Sequence, residues 1–379
     1  MRLQLGVEEL LGAPPYEGNA IDVYRNGDEI FPAMLECISS AERTVEFLTF
    51  VYWTGDIARE FAHRLAERAR AGVDVRVLVD AVGGRTMSSE LVALMEDAGV
   101  SFRWFRPLTR MRRVGNRTHR KVLVCDERVA FTGGVGIAEE WCGDARDPSE
   151  WRDTHFRVRG PAVAALRAAF ATNWFESVDD LDGKRLVAEH RAEQVGDVVV
   201  QVLRSQPTYV RSDIGLVLMR LVALAEERLL ITTPYFTPDE TFVEMLVAAA
   251  DRGVEVQVLV PGEHIDKRVV QVAAERHYES LLDAGVALHI YDRTMLHAKS
   301  MVIDGVSALV GSANINRRSM DHDDELGLLI HDEDLARTLE GHFADDLEHS
   351  HRLEKGEWAE RGPARRAVEA VVGLGRKFL

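Results

Sequence analysis

Apolar positions along this chain switch between a period of two and a period near 3.6, and the switches recur. After a strand and a turn at Asn26-Gly27, a helix is predicted from about Ile30 to Ala41, followed by a β-branched and aromatic strand, Thr44 to Tyr52. Ile57 to Ala71 returns to helical spacing, with Phe61 and Leu65 on one face. The pattern then predicts strands at Val73–Val79 and Val100–Phe105, with a helix at Ser88–Ala98 between them. A strand pair follows at Lys121–Asp126 and Val129–Thr132, then a strand at His155–Val158 and a helix at Pro161–Phe175 with proline in its first turn. Strands alternating with helices predict an α/β fold with mixed sheets.

The second half restarts the series. Strands are predicted at Val198–Leu203, Leu229–Thr233, Val254–Val260 and Val286–Tyr291, and helices at Asp213–Glu227, Lys267–Ala284 and Asp334–Leu347. Thr237-Pro238-Asp239-Glu240 reads as the cap of one more helix. Short stretches resemble each other: Ala71–Val79 resembles Arg252–Val260, and Ala98–Phe105 resembles Ala284–Tyr291. A repeat this long predicts two similar domains rather than a solenoid. We therefore expect two α/β/α sandwiches related by a pseudo-twofold axis, with an active site between them. The expected bounds are residues 1–180 and 197–360, a polar connection at 181–196, and a tail at 361–379.

The most specific repeat is chemical. His119-Arg120-Lys121 leads to Asp126, and His297-Ala298-Lys299 leads to Asp304, so H-x-K-x4-D occurs twice with the histidines 178 residues apart. After six further residues stand Gly133-Gly134 in one copy and Gly311-Ser312 in the other. In a strand, His and Lys two residues apart point to one face. Imidazole can attack phosphorus, and imidazolium can protonate a departing alkoxide; a covalent phosphodiester exchange needs both, on opposite sides of the phosphorus. Two lysines then clamp the spreading charge on the non-bridging oxygens. Ser312 and Asn314 add neutral donors, and Gly134 lies at the matching place in the first copy. Asp153 follows His119 by 34 residues and Glu325 follows His297 by 28, each opening a strand in its own half. Both are assigned as carboxylates that hold the second imidazole nitrogen. Asp126 and Asp304 brace the motifs from the strand end. The acidic run Asp321–Glu325 reads as a solvated loop ending in one useful acid, in preference to a metal site with His322. The chemistry calls for no metal and no other cofactor.

Composition narrows the substrate. The 379 residues carry a net charge of −16, which disfavours nucleic acid as a partner. Eight basic residues between Arg103 and Lys121, with no acid among them, nevertheless suggest an anionic substrate. The tail from Gly362 to Leu379 holds Arg365, Arg366, Arg376 and Lys377 against Glu369 and is read either as an interfacial helix on anionic lipid or as a packed terminal helix. No stretch approaches the ~18 apolar residues of a membrane span. The N-terminus lacks a secretory pattern, and the three cysteines lack metal or redox spacing, with Cys125 expected to be buried.

On these motifs the chain resembles the phospholipase D superfamily, and within it the bacterial cardiolipin synthases. The flanking matches include Asn26–Met34, Tyr52, Trp151–His155, Gly160–Val163, Pro234–Pro238 and Gly311–Ser319, so the likeness covers about residues 19–360. The resemblance implies a phosphatidyltransferase with a phosphohistidine intermediate, His119 as nucleophile and His297 as general acid. It further implies phosphatidylglycerol as donor and acceptor. Family members commonly carry Asn where this chain has Gly136, and many begin with membrane-spanning helices that this chain lacks. The expected setting is therefore cytoplasmic, peripheral on the inner face of an anionic membrane. A lipid hydrolase uses the same residues with water as acceptor; a nuclease or an inactive phosphate-binding scaffold are the remaining alternatives.

Overall fold

The computed structural model describes residues 2–107, 116–177, 193–206, 212–268, 272, 275 and 277–359. In the first half the strands are β1 (Pro15–Arg25), β2 (Thr44–Thr49), β3 (Asp74–Asp80), β4 (Ser101–Phe105), β5 (Val122–Cys125), β6 (Val129–Gly133) and β7 (Thr154–Arg159). In the second they are β8 (Val198–Ser205), β9 (Arg228–Thr232), β10 (Glu255–Pro261), β11 (Ala287–Tyr291), β12 (Ser300–Ile303), β13 (Ser307–Gly311), β14 (Glu325–His331) and β15 (Ser350–Arg352). The first set is ordered β1-β7-β6-β5-β2-β3-β4, and the second β8-β14-β13-β12-β9-β10-β11, with β15 added at the edge. Parallel pairs β2–β3–β4 and β9–β10–β11 adjoin antiparallel pairs in both halves. The order is therefore the same twice. β1 and β8 join antiparallel at the centre, Pro15 opposite Gln201 and Asn19 opposite Val198, giving one 15-stranded sheet.

Helices cover both faces, as the apolar stripes require. On one face the helices Val163–Ser177 and Glu333–Leu347 lie over a core common to both halves, which includes Leu48, Val122, Phe170, Val302, Leu328 and Phe343. On the other face each half has a core of its own. Helices Asn26–Ser40 and Asp56–Arg70 bury Phe31 and Phe61 against β2, β3 and β5, and helices Asp213–Leu224 and Glu240–Asp251 bury Leu221 and Phe242 in the second half. One core spanning the junction fixes the halves relative to each other, because close-packed side chains from both resist sliding.

Several elements differ from the sequence expectation. An N-terminal helix, Arg2–Leu11, is additional to it; Leu3 and Val7 pack into the second-half core. The helix expected to reach Glu227 stops at Leu224, because the Asp304 carboxylate takes the backbone N–H groups of Glu226, Glu227 and Arg228. Of the helix expected from Lys267, the segment Tyr278–Asp283 is described. The connection 181–192 and the tail 361–379 fall outside the described residues. Among those described, no helix is long and apolar enough to cross a membrane.

Candidate active site

Both motif histidines lie just before a strand, not within one. β5 starts at Val122 and β12 at Ser300, each one residue past the motif lysine. Upstream of the lysines the chain leaves the sheet and pairs with the opposite half. His119 N–H donates to Asp324 O (2.9 Å), and Asp324 N–H donates to Arg117 O (2.8 Å). The mirror arrangement has His297 N–H on Arg152 O (2.7 Å) and Arg152 N–H on Met295 O (2.9 Å). These two short bridges bring each motif beside the acid that opens the other half's strand.

The acids therefore serve crosswise, a pairing that their positions in the chain left open. His119 Nδ1 lies 3.0 Å from Glu325 Oε1, and His297 Nδ1 lies 2.7 Å from Asp153 Oδ2. Glu325 also accepts from the Ser312 and Ser319 hydroxyls, the latter at 2.6 Å. Asp153 accepts from Trp141 Nε1 (2.9 Å) and from Thr154 N–H (2.8 Å). With Nδ1–H held by a carboxylate, Nε2 is the nitrogen of each ring left for chemistry, and at His297 it has Lys299 Nζ 3.2 Å away. Lys121 Nζ donates to His119 O at 2.8 Å and Lys299 Nζ to His297 O at 2.5 Å, so each lysine is tied to its own histidine. Phe50 meets His119 edge-on at 5.3 Å between centroids, and Trp141 meets His297 edge-on at 5.1 Å.

Burial sets the electrostatics. It lowers His119 to about 4 and His297 to about 3, against the opposing pull of Glu325 and, for His297, of Asp153; Lys299 adds to the lowering at His297. Burial and mutual repulsion lower Lys121 to about 7; burial lowers Lys299 to about 8. Burial alone would raise Glu325, but His119, Lys121 and Ser312 bring it down to about 2. Asp153 is likewise held below the usual carboxylate range, with His297 and Lys299 outweighing its burial. The lysines each influence both histidines, so the two sets share one electrostatic site. Burial thus weakens the hold of both imidazoles and both ammonium groups on their protons, and an anion bound beside them would strengthen it.

The remaining predicted residues fall into place around this centre. Ser312 is committed to Glu325, while Asn314 leaves its side-chain oxygen buried and without a hydrogen bond, free for a ligand. Gly134 adjoins Asp153 so closely that a Cβ there would run into the carboxylate. Asp126 and Asp304 sit at the strand ends away from the histidines. Asp126 takes the N–H groups of Glu42, Arg43 and Thr44, as Asp304 does those of residues 226–228, so both anchor loops and neither faces the imidazoles.

Two charge readings need correction. Asp323 and Asp324 are buried and paired rather than solvated: Asp323 accepts from Arg117 N–H and Arg318 Nε, and Asp324 from Asn173 Nδ2. Among the described residues of the basic run, Arg103 is exposed but Arg106, Arg117, Arg120 and Lys121 turn inward. Arg117 pairs with Asp80 at 2.9 Å and Arg106 with Glu176 at 2.7 Å, and Arg120 bonds the Glu325, Ala169 and Ser205 carbonyls. These side chains fix the junction instead of facing a substrate, because a buried guanidinium must meet several acceptors. Arg110, Arg112 and Arg113 lie outside the described residues.

Sequence reading missed Trp141, Trp151 and Phe50, the aromatic walls of the two imidazoles. Comparing the two halves position by position would have placed Trp141 opposite Ser319.

Paired His-Lys sets on a duplicated α/β sheet, with crossed carboxylates, define a phospholipase D-type phosphodiester site. The family model described as "Cardiolipin synthase, PLD-like domain" matches residues 34–143 and 218–347, and the chain belongs to this family. It is 31% identical over 364 residues to a cardiolipin synthase of Clostridium perfringens (strain SM101 / Type A), covering 94% of this chain and 76% of that one. It is 32% identical over 362 residues to a probable cardiolipin synthase of Bacillus subtilis (strain 168), covering 93% and 71%. A solved phosphatidylserine synthase of Haemophilus influenzae Rd KW20 superposes with a TM-score of 0.75 at 15% identity, covering 100% of both chains, and shares the fold.

Proposed function

We propose that this protein is a phosphatidyltransferase that joins two phosphatidylglycerol molecules into a cardiolipin-type lipid and releases glycerol. The observation that carries the reading is the crossed pairing: each imidazole is oriented by a carboxylate from the opposite half. That arrangement suits one phosphorus held between two histidines. In the first step Nε2 of His119 attacks phosphorus, and the bond to the glycerol oxygen breaks. His297, protonated at Nε2, gives its proton to that oxygen. In the second step the neutral His297 takes a proton from the hydroxyl of another phosphatidylglycerol, whose oxygen displaces His119. Atoms and charge balance over the two steps. Lys121 and Lys299 face the non-bridging oxygens, and the Asn314 amide oxygen can accept from a substrate hydroxyl.

Burial and Lys299 lower the proton affinity of His297, so as general acid it depends on the charge of the substrate. A phosphodiester anion beside it raises that affinity. The His297 side chain is 7% exposed, under Trp141 and Trp151, which disfavours free water as acceptor and favours transfer over hydrolysis. We place the enzyme against an anionic membrane from the water side, with residues 108–115 and the basic tail as the contacts.

The test is incubation with phosphatidylglycerol vesicles and identification of lipid products by mass spectrometry. Cardiolipin and glycerol in equal amounts are expected. Phosphatidic acid as the sole product would replace transfer by hydrolysis. Absence of any lipid product, with cleavage of a nucleic-acid phosphodiester, would overturn the reading.

A further inference from the structure

We infer that Trp141 is a positioning residue for the Asp153–His297 pair, and that its indole N–H does for this pair what the Ser319 hydroxyl does for Glu325–His119. The two halves correspond at a constant offset of 178 residues around the motifs, which pairs His119 with His297, Gly136 with Asn314 and Trp141 with Ser319. The backbone supports the alignment locally: Trp53 N–H donates to Ile137 O and Thr237 N–H to Ile315 O, both at 2.9 Å. At the last of these paired positions the side chains differ completely, yet both donate to the carboxylate of the histidine pair. Ser319 Oγ lies 2.6 Å from Glu325 Oε1, and Trp141 Nε1 lies 2.9 Å from Asp153 Oδ2.

Oδ2 is also the oxygen that holds His297 Nδ1. The indole therefore occupies one side of the same atom and leaves the imidazole the other. It is a donor only, so it cannot accept the proton that the carboxylate must keep on His297. Trp141 is 2% exposed, and its ring stands edge-on to His297 at 85° and packs on Trp151 at 4.4 Å. This fixes the ring plane and hence the N–H direction. Gly136 borders the same space. A Cβ there would come within 2.6 Å of Val51 and 3.3 Å of the Trp141 ring. The counterpart of Gly136 is Asn314, beside the small Ser319; bulk at one position has been exchanged for bulk at the other. Glycine at 136 thus leaves room first for Val51 and then for the edge of this tryptophan. Trp141 reaches the chemistry through Asp153 and touches no reacting atom itself.

The test replaces Trp141 in the full-length protein by β-(3-benzothienyl)alanine, which keeps the bicyclic shape and puts sulfur where the N–H was; Trp141→Phe is a second variant. Two measurements follow: kcat and KM on phosphatidylglycerol vesicles, and NMR titration of the His297 ring in ligand-free protein. Loss of one hydrogen bond to a charged group should lower kcat about 10- to 100-fold. The lipid KM should stay within about twofold, as for a group that acts only on the chemical step. Asp153, deprived of a donor, should hold the imidazolium more tightly, so His297 should titrate at higher pH while His119 stays in place. Ser319→Ala should move His119 and leave His297 unchanged. Wild-type kcat with an unmoved His297 titration in the benzothienyl variant overturns the inference. A fall in kcat with an unmoved titration overturns it as well, since packing alone would do that. The activity arm rests on the transferase reading, but the titration arm does not. An inactive wild-type protein would therefore sink that reading while the titration still decides the role of Trp141.

Discussion

Glu325→Gln tests the crossed pairing most directly. The substitution keeps the shape of the side chain and removes its charge. Glu325 is fully buried and holds three donors: His119 Nδ1–H at 3.0 Å and the hydroxyls of Ser312 and Ser319. A carboxamide offers one oxygen and turns an NH2 toward at least one of these donors, a mismatch costing about 1–3 kcal/mol. The charge is lost as well. Lys121 and the Ser312 hydroxyl, with His119 when it is protonated, hold this carboxylate below the usual range, so its ionised form contributes to native-state stability. That contribution is complete above about pH 4.5 and is lost as pH falls towards 2. In the proposed mechanism, the carboxylate keeps the proton on Nδ1 so that Nε2 can attack. Its loss should lower kcat about 10²–10⁴-fold, the range of a general acid–base group, with little change in lipid KM. The assay is steady-state turnover of phosphatidylglycerol vesicles, combined with alkaline denaturation and peptide mapping of the phosphorylated histidine. Adduct at His119 should fall in Glu325→Gln and persist in Asp153→Asn, which should instead stall proton transfer at His297. Retained adduct in Glu325→Gln together with its loss in Asp153→Asn would refute the crossed assignment.

Other outcomes follow from the same geometry. Gly134→Ala should push Asp153 off His297, because the added methyl meets the carboxylate; about 1–3 kcal/mol of stability and most activity should go with it, read by thermal melts and turnover. Burial lowers His119, His155, His331 and His342 to about 4 and His297 to about 3. The unfolded chain therefore binds more protons between about pH 6.5 and 4, and stability should fall as pH drops through that window; equal melting temperatures at pH 7 and 4.5 would contradict this. Turnover should survive excess EDTA, and activity lost to chelation and restored by a divalent ion would oppose the two-histidine mechanism. Replacing Arg110, Arg112 and Arg113 by Gln should weaken binding to anionic vesicles at low salt, each basic residue contributing on the order of 1 kcal/mol; flotation unchanged by these replacements and by salt would remove residues 108–115 from the membrane face.

Much of this molecule was legible in its sequence because the signals are local or repeated. Period-two and period-3.6 stretches gave most strands and helices, and two H-x-K-x4-D copies gave the chemistry and the duplication. Composition set the substrate class only loosely: the run from Arg103 to Lys121 looked like a surface for anions, yet Arg106, Arg117 and Arg120 turn inward to acids and carbonyls that are distant in the chain. The acids were recognisable but not their partners. Asp153 and Glu325 follow their own motifs at similar distances, and nothing in a linear chain says that each will serve the other's histidine. That was decided by antiparallel pairing of β1 with β8 and by the bridges from Arg117–His119 and Met295–His297 into the opposite half. The role of Trp141 was hidden for the same reason. An indole and a hydroxyl share no sequence signature, and they become equivalent only when the fold sets each one's hydrogen beside a buried carboxylate that must be satisfied.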